Sequence, residues 1–533
     1  MSHLQSQCKL EISVAQKWHR IMSNDHNEPQ PQHEGEKKVS PLEQQQPQRP
    51  QKCYRSCNTD WYTNISVEPT MFLYMFAFMI TSVVEQAFFV NKACLVNNNF
   101  TADICDNLNE YPEIKKQVQI TTATFHQWEN ISAHIVPIIL ALFLGSWSDR
   151  RGRKVPLLMG LSGKFIYSCM MVVNASQKSW PVEYIIYTAT IPSALTGADV
   201  AIFASCFAYI SDISTVKNRT TRVTILDVCY LSAMPTGVAL GSYLYNNVMG
   251  KSYANMFAIN ASLLFISIIY SLIALKWQTT PKQRSLREVC FCGVFGDFFD
   301  IKHVIATFRV LTRKREMHRR IFLSMLLITM GLYTFQRDEK PFLYLYTQFK
   351  FDWDVTTYSN FKTFQSSAYV IAMLSGVPLM SKVFKWKDTT IILIGATAHA
   401  IARLFFFFAD TELMFYMGAV VCSFGPIVGP VLRSITSKIV PQSERGKVFA
   451  LLSVFDNAIP FISGVCYAQV YKATVGEYGG VFLLTIGTQI GVFILILSIH
   501  VINGAGSMVA EEVPEKEVNP ICDQVDSGSQ KSA

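Results

Sequence analysis

The chain has 533 residues, half of them hydrophobic and only 16% charged, with a formal net charge of +8. A soluble protein of this size carries more charge and divides into several domains, so the composition excludes an ordinary soluble globular chain. The positive balance does not point to nucleic acid either, because the cations gather in short links between long apolar runs, where membrane topology wants them.

The start is polar, with Lys9, Lys17, His19 and Arg20 and no apolar core behind them, so no signal peptide is expected and the first span serves as targeting signal. Residues 1–67, rich in Gln and Pro, cannot bury enough apolar surface to fold and read as a disordered cytoplasmic tail. Residues 10–22 have the pattern of a short amphipathic helix. The first span is expected at 69–90. The loop after it, 91–120, carries Asp103, Asp106, Glu110 and Glu113 and faces outward. It holds the sequon Asn99-Phe-Thr101, a glycan site by that placement, and two cysteines, Cys94 and Cys105, for which a disulfide and free thiols stand level.

The second span, 122–144, ends in Gly145-Ser-Trp-Ser-Asp149-Arg150-Arg151-Gly152-Arg153-Lys154-Val-Pro156. Four cations between apolar helices mark a tight cytoplasmic turn, with Gly145 and Gly152 placed to let the backbone turn. Asp149 and Arg153, four apart, share a helical face. The third span, 155–173, is followed by a sequon at Asn174 that lies too close to the membrane to favour its use. The fourth, 183–209, ends at Ser211-Asp212, and the basic link after it holds a sequon at Asn218 expected to stay unused in the cytoplasm. The fifth and sixth spans are 223–245 and 253–275.

A basic link, 277–320, divides the spans into two sets, and its Phe295, Phe298, Phe299 and Val304 point to short helices on the membrane surface. The second set repeats the pattern: 321–346, broken by Arg337-Asp338-Glu339-Lys340, then 358–380, 390–408, 413–435, 449–471 and 480–502. The fourth of these contains Gly425-Pro426 and Gly429-Pro430, which break a regular helix and suit a cavity wall. Residues 504–533 form an acidic, disordered cytoplasmic tail. The expected fold is therefore an all-α membrane protein of about twelve transmembrane helices, in two six-helix bundles (68–276 and 321–503) around a midplane site.

Charges inside membrane spans are costly and mark function. They are Glu85, Lys164, Asp199, Asp227, Arg403 and Asp456, with Arg433 closing the tenth span. Lys164 either extends its stem to the headgroups or lies inside the bundle; Arg403, too deep to extend, is expected to face a water-filled cavity. Asp149, Arg153 and Asp212 form either a charge relay holding an inward gate shut or a static ion pair. Asp199 and Asp227 either exchange protons during a transport cycle or pair with cations such as Lys164. The Phe runs (Phe72, Phe76, Phe78; Phe405 to Phe408) read as packing or lipid-facing residues. Cys169, Cys206, Cys229, Cys422 and Cys466 read as packing residues. Cys53/Cys57 and Cys290/Cys292 lack companions at metal-ligand spacing, and no nucleophile–base set appears, so neither a metal, a cofactor nor an enzyme is expected.

Gly145 to Lys154 resembles the G-x-x-x-D-R-x-G-R-[RK] signature of the major facilitator superfamily. Further runs resemble the proton-coupled folate transporter family, solute carrier family 46: Phe89 to Cys94, Ala208 to Asp212, Arg219 to Asp227, Phe342 to Tyr346 and Gly429 to Lys438. The resemblance implies proton-driven symport, by alternating access, of an organic anion such as a folate, or of an amphipathic solute. It implies gating by Asp149 and Arg153, proton coupling at Asp227, substrate and proton coupling at Arg433, and a functional Asp199. That family bridges its first outer loop to a cysteine after span seven; no cysteine lies in 337–357 here, which leaves a Cys94–Cys105 bond. Implied partners are a small organic solute, protons and the bilayer, with no nucleic acid and no required oligomer. The rival readings are a proton-independent carrier or exporter and a non-transporting receptor. Neither tail shows a clear acidic dileucine signal, which places the expectation at the plasma membrane rather than the lysosomal membrane.

Overall fold

The computed structural model describes residues 65–214, 219–279, 283, 298–299, 305, 319–439, 442–476 and 479–503. The expected tails at 1–64 and 504–533, the amphipathic segment at 10–22, the sequon at Asn218, the cysteines at 53, 57, 290 and 292, and most of the link 277–320 lie outside the described residues.

Among those residues, twelve helical stretches follow one another. In the first half they are α1 (Glu68–Lys92, ending in a π turn, Ala93–Asn97), α2 (Pro112–Arg151), α3 (Lys154–Ser176), α4 (Ile186–Thr190, Ile191–Ala194 and Ala198–Ile213), α5 (Arg219–Tyr243, with a π turn Leu244–Val248) and α6 (Tyr253–Ala274). In the second they are α7 (Arg319–Phe335 and Lys340–Phe351, joined by a 3-10 turn Gln336–Glu339), α8 (Val355–Ile371, then π turns Ala372–Gly376 and Leu379–Val383) and α9 (Asp388–Phe407). The last three are α10 (Glu412–Cys422 and Val428–Ile439 around a 3-10 turn Gly425–Ile427), α11 (Gln442–Thr474) and α12 (Gly480–Asn503). Nine helical segments, covering α1 to α6, α9, α10 and α12, are long and apolar enough to cross a membrane. The three left over, α7, α8 and α11, are broken or more polar, and they carry much of the chemistry described below.

The helices obey local rules. Pro69 sits in the first turn of α1, where its missing N–H costs nothing, and Glu68 and Lys92 complement the helix dipole at opposite ends. Asp354 caps α8 by accepting from the Thr357 N–H at 2.8 Å. Partial burial raises the carboxyl pKa, but the bonds from Thr357 and Thr356 outweigh it and hold Asp354 below the ordinary carboxylate range.

Boundaries differ from expectation at α2, at α7, which runs on to Phe351, and at α11, which starts at Gln442. α2 starts ten residues early, at Pro112, and runs through Gly145 to Arg151, so Gly145 does not turn the chain. The turn is confined to Gly152, with φ +103°, where a Cβ would lie 2.3 Å from the Trp277 carbonyl oxygen. The loop 91–120 is partly helical, with a short helix at Ala102–Asp106. Of the aromatic runs, Phe72 stacks on Phe76 with centroids 5.5 Å apart, and Phe406 is fully buried while Phe408 is exposed.

The halves meet along two seams, α2 against α11 and α5 against α8. At the end carrying the Asn91–Tyr111 loop they are latched. Lys115 Nζ meets Asp352 Oδ1 at 2.6 Å, and Tyr471 donates to Gln119 (2.8 Å), which donates to the Leu345 carbonyl (2.9 Å). A shared apolar cluster with Val118, Phe342 and Tyr471 closes over these bonds. At the opposite, basic end the ion pair Lys438–Asp388 (2.6 Å) stays inside the second half, as does the Thr389–His500 bond (2.7 Å). Phe298 of the central link rests on Trp147 of α2, centroids 5.4 Å apart.

Cys94 and Cys105 are joined, with Cα atoms 5.9 Å apart. Closing this short loop removes chain entropy worth about 3 kcal/mol. Serine at both positions is expected to lower the thermal midpoint of the purified protein by that order, and reductant should do the same to the unaltered protein.

Candidate functional site

At the basic end, the Gly152 turn delivers Arg153 to three partners. Its Nε donates to Asp212 Oδ2 (3.0 Å), its Nη1 donates to Ser148 Oγ (2.6 Å), and its Nη2 pairs with Asp149. Asp212 also accepts from Thr279 Oγ1 at 2.8 Å. The three residues singled out in the sequence thus meet, tying α2, α3, α4 and the segment after α6. All of these belong to the first half, so the bonds described here brace one bundle.

Deeper in the first half, Lys164 Nζ of α3 meets Asp199 Oδ1 of α4 at 2.8 Å, and Tyr74 of α1 donates to the same oxygen. Lys164 therefore turns inward and does not reach the headgroups. It can do so because α4 breaks beside it: Gly197 (φ +83°) and Ala198 (φ +40°) interrupt the helix and present Asp199 in its next first turn. The Asp199 side chain keeps 47% exposure, which leaves it facing the space inside the bundle while paired. Glu85 of α1 accepts from Tyr167 of α3.

Across the space, Arg433 of α10 donates to Asp456 Oδ2 of α11 at 2.7 Å, and Thr334 of α7 donates to Asp456 Oδ1 at 2.6 Å. Arg337 adds a bond to the Asp456 carbonyl at 3.3 Å. Asp227 of α5, in the opposite half, feels the Arg433 charge. Arg337 and Asp338 likewise act on His134 of α2.

Arg403 corrects its expectation. It faces no water-filled cavity but is buried inside the second half. It pairs with Glu339 (3.2 Å), and its Nη1 reaches His399 Nδ1 (2.9 Å) and Cys422 Sγ (2.7 Å). Glu339 also accepts from Thr485 of α12, and the neighbouring Asp338 accepts from Ser463 of α11. The 3-10 turn in α7 puts both carboxylates inside, while the turn in α10 leaves Gly425 so close to His399 that a Cβ would lie 2.0 Å from its Nε2. Cys422 is thus more than a packing residue.

The residues missed by sequence reasoning are the partners: Tyr74, Tyr167, Thr334, Asp338 and Glu339. The signal for the last two was present, since they lie in the charged break of a membrane span. Asn99 is exposed with φ +55°, a conformation asparagine tolerates. Asn174 is buried, its amide donating to the Met170 carbonyl and Thr188 Oγ1, both at 2.8 Å, which removes that sequon from use.

The Major Facilitator Superfamily model matches residues 70–464. The chain is 28% identical to the lysosomal proton-coupled steroid conjugate and bile acid symporter SLC46A3 of Gallus gallus, over 86% of this chain and 99% of that protein. It is 24% identical to the proton-coupled folate transporter of Bos taurus, over 78% of this chain and 87% of that one. Among solved structures it is similar to the human organic anion transporter MFSD10 (TETRAN), with TM-score 0.57, 13% identity, and coverage of 81% and 97%. At that identity the likeness shows the fold alone.

Proposed function

We propose, from the premise that the chain belongs to the major facilitator superfamily of membrane transporters, that it is a symporter driving a small organic anion with protons. The observation that carries this reading is the Arg433–Asp456 pair, in which the arginine keeps 47% exposure. An arginine held by a carboxylate cannot bind a solute anion well until the carboxylate takes up a proton. Protonation of Asp456 therefore leaves Arg433 with uncompensated charge, and solute and proton bind together; protonation of Asp227 removes a further negative charge without breaking the pair. The two seams, α2 with α11 and α5 with α8, are the surfaces on which the halves would rock to alternate access.

In this reading the basic end is cytoplasmic, Asn99 lies outside and carries a glycan, and Asp149, Arg153 and Asp212 steady the inner mouth of the first half. The related symporter from Gallus gallus is lysosomal by name, whereas the plasma membrane is the proposed place for this chain.

Uptake of labelled folate, bile acids and steroid conjugates into vesicles, with and without an imposed proton gradient, tests the proposal. Accumulation that depends on the gradient is the expected result. Accumulation indifferent to it would support a proton-independent carrier, and binding without accumulation a receptor.

A further inference from the structure

Asp456 is gripped by its main chain as well as its side chain, and the sequence says why. Pro460 lies inside α11, four residues after Asp456. Proline has no N–H, so the Asp456 carbonyl loses the helix donor it would otherwise have. A carbonyl left open at membrane depth must find another donor. Arg337 of α7 supplies it, its Nη2 donating at 3.3 Å. Thr334, three residues earlier and therefore on the same face of α7, donates to the Asp456 carboxylate at 2.6 Å.

Arg433 of α10 holds that carboxylate too, Nη2 to Oδ2 at 2.7 Å. Two guanidinium groups bonded to one residue are neighbours. They differ in what answers their charge. Arg433 has a carboxylate. Arg337 has a carbonyl dipole and, among the described residues, no acid within ion-pair distance. Its chain neighbours Asp338 and Glu339 are buried and engaged by Ser463 and Arg403. A guanidinium carries five N–H groups, so one bond to a carbonyl leaves Arg337 free to donate several more. Both arginines are exposed. A guanidinium turned to hydrocarbon is costly, so the space they share holds water or solute.

We propose that Arg337 and Arg433 form a two-arginine clamp for the anionic group of the solute, a carboxylate, sulfate or phosphate. The clamp rests on the carrier reading above. Arg337 is its standing cation, and Arg433 is the one a proton releases. Protonating Asp456 frees Arg433 but leaves the main-chain carbonyl in place, so Arg337 keeps its anchor in both states. Planar guanidinium forks suit oxyanions, which accept paired N–H bonds.

Thiol labelling tests the clamp without transport. Arg337→Cys in the full chain, purified in detergent, is treated with 2-sulfonatoethyl methanethiosulfonate (an anion) and with its trimethylammonium counterpart (a cation), and rates are taken above the unaltered protein. Adding Asp456→Asn, which frees Arg433, should raise the anion-to-cation rate ratio about fivefold, and adding Arg433→Gln instead should lower it by a similar factor. No labelling by either reagent, or a ratio moved by neither change, would overturn the clamp. Uptake covers the case in which the cysteine variant does not fold. Arg337→Gln removes the charge and keeps an amide donor. With the labelled folate, bile acid or steroid conjugate that accumulates, it should raise the half-saturating concentration about tenfold at acid and neutral pH alike, with the thermal midpoint unmoved. Arg337→Lys, which keeps the charge, should recover most of that loss. Half-saturation in Arg337→Gln equal to the parent's would overturn the proposal. If labelling follows the two charges but no solute accumulates, the clamp stands and the carrier reading fails.

Discussion

Arg403→Met is expected to destabilise the protein by about 3–5 kcal/mol, the usual cost of removing one partner from a buried ion pair. The reason is Glu339, which is as buried as Arg403 and would be left with Thr485 as its hydrogen-bond donor among the described residues. Lysine should rescue poorly. The guanidinium fork is used on several sides, with Nε to Glu339 (3.2 Å), Nη1 to His399 and Cys422, and Nη2 to Gln336 (3.3 Å), and a point ammonium cannot reproduce that geometry. Arg403→Met combined with Glu339→Leu should recover much of the loss, because two apolar side chains replace two desolvated charges. Thermal unfolding of the four proteins in detergent reads the effect. A single Arg403→Met variant as stable as the parent would show that the pair does not hold α7 to α9.

That pair also shows where sequence reasoning stops. Spans were legible because apolar runs of bilayer length have few alternatives, and the Gly152 turn because a basic link between such runs has one topological meaning. Arg403 was recognised as anomalous, yet its partner was not. Glu339 lies 64 residues away, and only the 3-10 turn in α7 rotates it inward. Likewise Asp199 was singled out, but the break at Gly197 that aims it at Lys164 has no clear mark in an otherwise apolar run. The relay at Asp149, Arg153 and Asp212 was legible as a set. Its confinement to the first half depends on which helices pack together, and that is tertiary information.

The same distinction bears on the largest functional effect. Arg433→Ala is expected to reduce uptake at least a hundredfold, in line with about 3 kcal/mol for removing the cation that pairs with the anionic group of the solute. Fold loss is not the cause to expect, since Arg433 keeps 47% exposure and Asp456 retains its bond from Thr334. Asp456→Asn separates coupling from binding. The amide imitates a protonated carboxyl, so Arg433 is released at any pH. For the unaltered protein uptake should rise as pH falls, because protons free the arginine. In Asp456→Asn that rise should be flattened, with half-saturation at neutral pH close to the unaltered protein's value in acid. Asp227→Asn removes the acid of the opposite half without breaking the pair, so it should shift the pH profile while leaving binding at acid pH intact. If both asparagine variants kept the parental pH profile, the proton would have to act elsewhere. Asp199 is the next acid exposed inside the bundle, but it already has Lys164 and Tyr74 holding its charge. Asp456 is held in the same way by Arg433 and Thr334, so an unchanged profile in both asparagine variants would make Asp199→Asn the variant to read next.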